Sequence, residues 1–419
     1  MRKIKKLLLS IIVMGTAQFT FAQYTLKQVI VLNEGSFGGP VTVGSYDPAA
    51  KSYQNFDTIQ ARFATDVIID SGFIYVAADT LLVKYDLNTK QRLAVQTVKG
   101  IRELAVWNNQ LLVTRGEASP LPSYFQVYDK TNLNLLYELS ALSGGATEVK
   151  VLNDTAYAAV TNFWGDMGKL AVIDLGGQSL NREVDLGPDG LDPENVEVYN
   201  GKIYTVNSMD WTNSSVSRYD ASSAALQTTK MNRSSGCSGS VLYATNIYFQ
   251  TSGEKQIGVF NTQNLTVWDS LQINQAVYGM GIDPVNASMY AGVTDYVSYG
   301  KIFIYDIYGA AIDSFDVGIS PGTFAFDVLS SVGIDANTNS FSFNLYPNPV
   351  SSVINFAVNG NVQSYKLSLT DVLGRVIYEQ DVKDGRKTQA IVVQNYPQGI
   401  YLLTVETDES KSTYKVVKY

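Results

Sequence analysis

The sequence predicts an all-β protein, a seven-bladed β-propeller followed by a small immunoglobulin-like β-sandwich. Three observations carry that prediction. An apolar or aromatic residue followed by Asp or Asn recurs seven times, at Tyr46-Asp47, Tyr85-Asp86, Tyr128-Asp129, Ile173-Asp174, Tyr219-Asp220, Phe260-Asn261 and Tyr305-Asp306. The intervals are 39, 43, 45, 46, 41 and 45 residues, and repeats of about 40–50 residues built from four short strands make propellers. The segments between are β-branched and aromatic, as in Ile74-Tyr75-Val76-Ala77 and Ile203-Tyr204-Thr205-Val206, and are punctuated by turns such as Asn108-Asn109 and Asn200-Gly201. No stretch of the repeats holds a helical period over three turns. After residue 341 the composition changes, and about five to seven further short strands follow.

From the N-terminus, residues 1–22 read as a secretory signal peptide. Arg2, Lys3, Lys5 and Lys6 form its basic start, Leu7 to Met14 its short apolar stretch, and Thr20 and Ala22 the small residues before a cleavage point at Gln23. The apolar run falls well short of the roughly 20 residues that span a bilayer, and no Cys lies near the cleavage point to carry a lipid. Residues 23–328 hold the propeller. Its first repeat lacks an inner strand, because 28–33 aligns with the second strand of the others, whereas 323–328 follows the last repeat and resembles an inner one. The expectation is that 323–328 pairs beside 28–33, which closes the ring and removes open sheet edges. Each recurring Asp is expected to accept hydrogen bonds from amides of the turn after it. Residues 329–341 are a polar linker and 342–419 form the sandwich.

Composition narrows the chemistry. Among 419 residues there is no His and one Cys, Cys237. A Ser-His-Asp triad, a His general base and a His-rich zinc site are therefore excluded, as are an intramolecular disulfide and a CxxC clip. No carboxylate pair has an assignable acid–base role, so the chain is not expected to be an enzyme, and no cofactor or metal is implied. Residues 1–22 carry four basic side chains and no acidic one, and 342–419 carry eight basic and seven acidic ones. Of the net charge of −8, residues 23–341 thus hold −13. Such a domain repels phosphate backbones, so nucleic acid is not an expected partner.

In a propeller whose strands run a, b, c, d outward from the channel, the b–c and d–a loops emerge on one face. The b–c loops are the long, aromatic ones here, and long loops on a rigid scaffold are where binding resides. They supply Asn33, Glu34 and Phe37, then Arg115 and Glu117, then Phe163, Trp164 and Asp166, then Asn207, Asp210 and Trp211, and finally Tyr296. The d–a loops add Arg62, Arg102, Asp192, Glu194, Asn195 and Tyr278. Aromatics with amides, carboxylates and a few Arg suit a small-molecule or protein site. The same aromatics would also be explained by packing onto neighbouring blades. Two further segments have a bland and a functional reading. Ser234 to Gly239 is either an anion-binding nest or a stretch of small residues near the channel. Asp189 to Glu194 is acidic, but its spacing is not that of an EF-hand.

Two resemblances sharpen these expectations. Leu345-Tyr346-Pro347-Asn348-Pro349-Val350, Leu369-Thr370-Asp371-Val372-Leu373-Gly374-Arg375-Val376 and Gly399-Ile400-Tyr401-Leu402-Leu403-Thr404-Val405 occur in that order before a basic end. They resemble the C-terminal sorting domain of the type IX secretion system of Bacteroidota. That implies export across the outer membrane by that machinery, tail removal, and release or cell-surface attachment, with Pro347, Asn348, Pro349, Gly374, Arg375 and Gly399 as the sorting motif. Residues 28–328 resemble the YVTN or YncE-like surface propellers, most specifically at Val31-Leu32-Asn33-Glu34-Gly35-x-Phe37-Gly38 and Ser45-Tyr46-Asp47-Pro48. That opening is similar to propellers that capture cobalamin and pass it to a TonB-dependent transporter, which implies a corrinoid ligand. The departure is that those relatives are lipid-anchored, whereas this chain carries a sorting tail. A surface adhesion propeller, taking a protein or glycan on the same face, is the other reading.

Overall fold

The computed structural model describes residues 23–162, 164–210, 212–236, 239–331, 342–346, 348, 350–359, 364–371, 375–383, 388–407 and 411–418. The expected signal peptide, Phe163, Trp211, Cys237, Pro347, Pro349, Gly374 and most of the linker lie outside the described residues. Every described element is a strand. The chain divides into two compact units, one spanning Tyr24–Ser330 and the other containing Ser331–Tyr419.

The first unit is seven four-stranded sheets. Six are built from consecutive strands, over residues 66–97, 101–139, 145–185, 193–231, 240–272 and 279–316, which we number blades 2 to 7. In blade 1 the inner strand is Pro321–Ser331, hydrogen-bonded to Gln23–Asn33, with Val41–Asp47 and Ser52–Ile59 outside it. The ring therefore closes as the repeat alignment expects. The closing strand runs close against blade 7. A Cβ on Gly279 would stand 2.0 Å from the Gly322 oxygen, and one on Gly292 would stand 2.1 Å from that of Pro321. Only glycine permits that approach of backbone to backbone.

Burial explains the strand sequences. The second strands are apolar on both faces, because each blade is stacked between two others. In Phe73–Ala78, Ile74 to Ala78 are all buried. Outer strands alternate instead, as in Arg92–Thr97. Seven apolar clusters fill the seven gaps between neighbouring blades. In the gap between blades 7 and 1, Val29, Val31 and Tyr46 meet Tyr290, Ile302 and Ile304, and Tyr46 stacks on Phe315 with ring centres 3.7 Å apart. Buried tyrosines also tie adjacent blades through their hydroxyls. Tyr75 donates to the Lys130 carbonyl at 3.0 Å, Tyr204 to that of Thr262 at 3.1 Å and Tyr85 to the Asp57 carboxylate at 2.7 Å.

All seven recurring Asp or Asn side chains accept amides of the following turn. Asp47 takes Ala49 at 2.8 Å, Asp86 takes Thr89 at 2.7 Å and Asp129 takes Thr131 at 2.8 Å. Asp174, Asp220, Asn261 and Asp306 do the same with Gly177, Ser222, Gln263 and Tyr308. These carboxylates shape turns.

The second unit has a three-stranded sheet of Ser342–Tyr346, Val353–Asn359 and Thr388–Val392. A four-stranded sheet orders Val376–Val382, Tyr365–Asp371, Gly399–Glu406 and Lys411–Lys418. One core joins them, with Ile354, Phe356 and Ile391 from the first and Leu367, Leu369, Leu403 and Val405 from the second. Two residues of the tail motifs hold strands in place. Asn348 donates to the Lys415 carbonyl at 2.7 Å and accepts the Val417 amide at 2.8 Å. Arg375 donates its amide and Nε to Asp371 at 2.9 and 2.6 Å, which pins the hairpin. Gly399 opens the strand that crosses the middle of that sheet.

Candidate functional site

The strand order puts the b–c and d–a loops on one face of the ring, and their aromatics divide between two arcs. On the arc where blade 7 meets blade 1, Phe37, Tyr296, Val297 and Tyr299 are exposed, Phe37 and Tyr299 almost entirely so. Trp164 on blade 4, across the ring, keeps 81% of its surface. The other end of the propeller exposes Tyr308, together with Tyr24 and Leu329 where the chain enters and leaves the ring.

The first arc is tightly built. The amides of Glu34 and Gly35 donate to Ser320 and Ile319 at 2.9 Å, fixing the blade 1 loop to the segment that leads into the closing strand. Tyr278 donates its amide to Gly292 at 2.8 Å and its hydroxyl to Glu34 Oε2. Tyr296 stands at 85° to Tyr278 with centres 5.5 Å apart, and its amide donates to Thr294 Oγ1 at 2.8 Å. Thr294 in turn meets Ser320 at 3.2 Å. Burial and the Glu34 carboxylate push the Tyr278 hydroxyl upward, so it remains a neutral donor. Asp295 accepts the Val297 and Ser298 amides at 2.9 and 2.7 Å, which holds its carboxyl below the usual range.

On the second arc Asp192 accepts Thr161 Oγ1 at 2.8 Å, and the loop bearing Trp164 turns over it, since a Cβ on Gly165 would meet Asp192 Oδ2 at 3.1 Å. Burial raises Asp192. Burial, with Asp192 beside it, lifts Glu194 to about 7 against the opposing pull of Arg102. Asn195 contributes a buried Oδ1 with no hydrogen-bond partner among the described residues. Asp166 accepts Asn162 Nδ2 at 2.5 Å.

Several expected binding residues serve the scaffold instead. Asn33 is fully buried and donates to Thr42 and, at 2.9 Å, to the Tyr53 hydroxyl. Asn207 is likewise buried, donating to Ser215 and Ser217 at 2.8 and 2.9 Å while accepting Thr205 at 2.7 Å. Arg115 turns inward to the Lys99 and Ser123 carbonyls at 2.9 and 2.8 Å. All three sit at the ends of second strands. Arg62 reaches the surface but is committed to Asp79 through two bonds of 2.7 and 2.6 Å. Glu117 pairs with Lys99 at 3.2 Å. Asp210 folds into its own turn, and the bonds from Thr212 and Asn213 lower it to about 2. Arg102, Asp166, Trp164, Phe37 and Tyr296 stay exposed. In the acidic loop Asp189 pairs with Lys230 at 2.7 Å, and the described residues contain no trio of side chains that could hold a metal ion. Ser235 and Gly236 spend their amides on Ser214 and Ser234.

One group escaped the sequence reading. Inner strands of successive blades bring Asp66, Glu103, Glu148, Lys150 and Glu197 to the central channel. Lys150 pairs with Glu148. Burial raises Asp66 to about 6 and Glu197 to about 8, and lifts Glu103 well above its usual range. Although burial opposes it, Glu148 and Glu197 raise Lys150. The signal was an ionisable residue directly before Val67, Leu104 and Val149, the aligned apolar residues of three inner strands.

No curated protein matches the chain by sequence. Among solved structures it is similar to a functionally unknown protein from Desulfotomaculum acetoxidans, with TM-score 0.57 and 14% identity over 72% of this chain and 98% of the other. A protein from Bacteroides fragilis, assigned provisionally as a 6-phosphogluconolactonase, has TM-score 0.54 and 12% identity over 72% and 98%. The β-propeller domain of Cps50 (Swd1) from Myceliophteria thermophila has TM-score 0.51 and 12% identity over 67% and 97%. Likeness at such identity establishes the propeller fold alone. Residues 344–419 match the secretion system C-terminal sorting domain, so this propeller carries the tail that directs export to the cell surface or the medium.

Proposed function

We propose that the protein is an exported binding propeller that takes its ligand on the face of the b–c loops and acts by binding rather than turnover. The observation that carries this reading is the set of exposed side chains Phe37, Trp164, Tyr296, Val297 and Tyr299 on that one face. Exposed apolar side chains gathered above a rigid ring mark an interaction site.

A corrinoid is the first ligand to test, by the resemblance of residues 31–48 to cobalamin-capturing propellers. A broad ring fringed with amides suits aromatics set on opposite arcs. With no imidazole in the chain, such a ligand would be held by its periphery, and a TonB-dependent transporter would be the partner. Isothermal titration with cobalamin and cobinamide is the test, with saturable heat that Trp164→Ala weakens as the expected result. No heat at micromolar protein overturns the corrinoid reading. The separation of the arcs also favours a second reading, in which a surface protein or glycan spans the face. Retained binding of purified surface glycans by a Phe37→Ala, Trp164→Ala, Tyr299→Ala variant would count against that one.

A further inference from the structure

We propose that Glu34, Tyr278 and Tyr296 form a recess for a methylated ammonium group, such as that of choline. The inference rests on the reading of this face as the binding face and assigns a chemistry to one of its corners. Three observations carry it. Two tyrosine rings meet at 85° with centres 5.5 Å apart, so they present perpendicular walls, and Tyr296 keeps 57% of its surface. A carboxylate stands at the hydroxyl end of one wall, because the Tyr278 hydroxyl bonds Glu34 Oε2, while among the described residues Oε1 has no donor. The corner is also anionic. Glu34 and Asp295 lie in the two adjoining loops, and no Lys or Arg among the described residues pairs with either. Arg62, the basic side chain of the neighbouring loop, is held by Asp79.

Those features select the ligand. A methylated ammonium ion spreads its charge over weakly hydrated methyl groups and is attracted to the faces of aromatic rings. It leaves water more easily than a primary ammonium or an alkali cation, which needs direct oxygen contacts that one carboxylate does not supply. The recess is also formed in advance. Hydrogen bonds from Glu34, Gly35, Tyr278, Tyr296 and Thr294 anchor its walls to Ser320, Ile319 and Gly292, so little ordering is left for the ligand to impose.

The test is titration of the purified chain with tetramethylammonium and choline chloride, against methylammonium and sodium chloride at equal ionic strength. Saturable binding of the first two is expected, with Tyr296→Ala and Glu34→Gln each weakening it about fivefold or more. Phosphocholine and phosphatidylcholine vesicles, run in parallel, tell a free metabolite from a lipid headgroup as the source. Tyr296→Ala alters an exposed loop side chain, so its thermal transition should match the parent and a loss of binding is then specific. Absence of saturable binding overturns the proposal, as does equal or tighter binding of methylammonium, or unchanged affinity in Tyr296→Ala. Cobinamide on the same sample separates the two readings. If it binds and tetramethylammonium does not, the face stands and the ammonium assignment falls. If only tetramethylammonium binds, the assignment stands and the corrinoid falls.

Discussion

Asp66 Oδ2, on the inner strand of blade 2, accepts the amide of Leu104 on the inner strand of blade 3 at 2.9 Å. The pairing of blade 3 shifts register between Ile101 and Leu104, and the carboxylate of the preceding blade supplies the acceptor at that bulge. Glu148 does the same for Val196 at 2.9 Å, where blade 5 shifts between Pro193 and Asn195. The channel carboxylates are therefore latches between blades. Leaving a buried amide without an acceptor costs about 1–3 kcal/mol. Asp66→Ala is expected to lose about that much in denaturant unfolding. Asp66→Asn keeps an acceptor oxygen and loses less, since burial already favours the neutral acid. Equal losses would show that the charge, not the acceptor, matters.

Stability should fall from mildly acidic to alkaline pH. Asp66, Glu194 and Glu197 titrate near about 6, 7 and 8 in the fold, raised chiefly by burial. Above about pH 4 the unfolded chain has released protons that these groups still hold. Their contribution is thus complete below the unfolded values and is lost as pH rises through the folded ones. Asp210, lowered to about 2, acts oppositely and loses its contribution as pH falls below about 4. The thermal midpoint is expected to peak near about pH 5 and decline towards about pH 9, and Glu197→Gln should flatten the decline. A midpoint that rose over that range would contradict the burial of these carboxyls.

The closing strand makes Gly279 a sensitive position. Gly279→Ala sets a methyl against the Gly322 carbonyl, and neither backbone can retreat without opening the ring. A loss of about 1–3 kcal/mol or more is expected, whereas Gly239→Ala, with no atom near its Cβ and no left-handed backbone, should lose less. Paired thermal melts of the two variants decide this.

The tail prediction concerns address. A chain lacking residues 342–419 is expected to fold its propeller, because the core clusters of the first unit draw only on residues 26 to 328. It should fail to appear at the cell surface or in the medium. Normal surface appearance, measured by protease accessibility in intact cells, would contradict the sorting role of the tail.

The fold was legible because its signals repeat. An apolar or aromatic residue before Asp or Asn, seven times over, is both a packing residue and a turn former, and the missing inner strand of the first repeat pointed to 323–328 as its replacement. The site was less legible. Loop position located Glu34, Phe37, Trp164, Tyr278 and Tyr296 on one face, but said nothing of direction. Asn33, Arg115 and Asn207 lie three or four residues before exposed ones and turn inward, because strands and loops of their own blade, and the loop leading into it, offer them hydrogen bonds. That depends on how the strands and loops of one blade fold back on each other, which spacing alone does not give. The channel latches were missed for a related reason. An acid within an apolar strand such as Pro193–Tyr199 looks like ordinary alternation until the ring sets the strands side by side.

The strand Pro321–Ser331 has a consequence for how the molecule comes into being. Blade 1 cannot be finished until a segment about 290 residues downstream of its partner has been made, and joining such distant ends carries an entropy penalty that grows only slowly with the span. A chain broken off at any earlier point leaves Gln23–Asn33 as a bare strand edge, open to proteases and to pairing with other chains. The sealed ring thus serves as a certificate of full synthesis. Because the sorting tail is encoded after the seal, a molecule that displays the tail already contains every residue its ring requires.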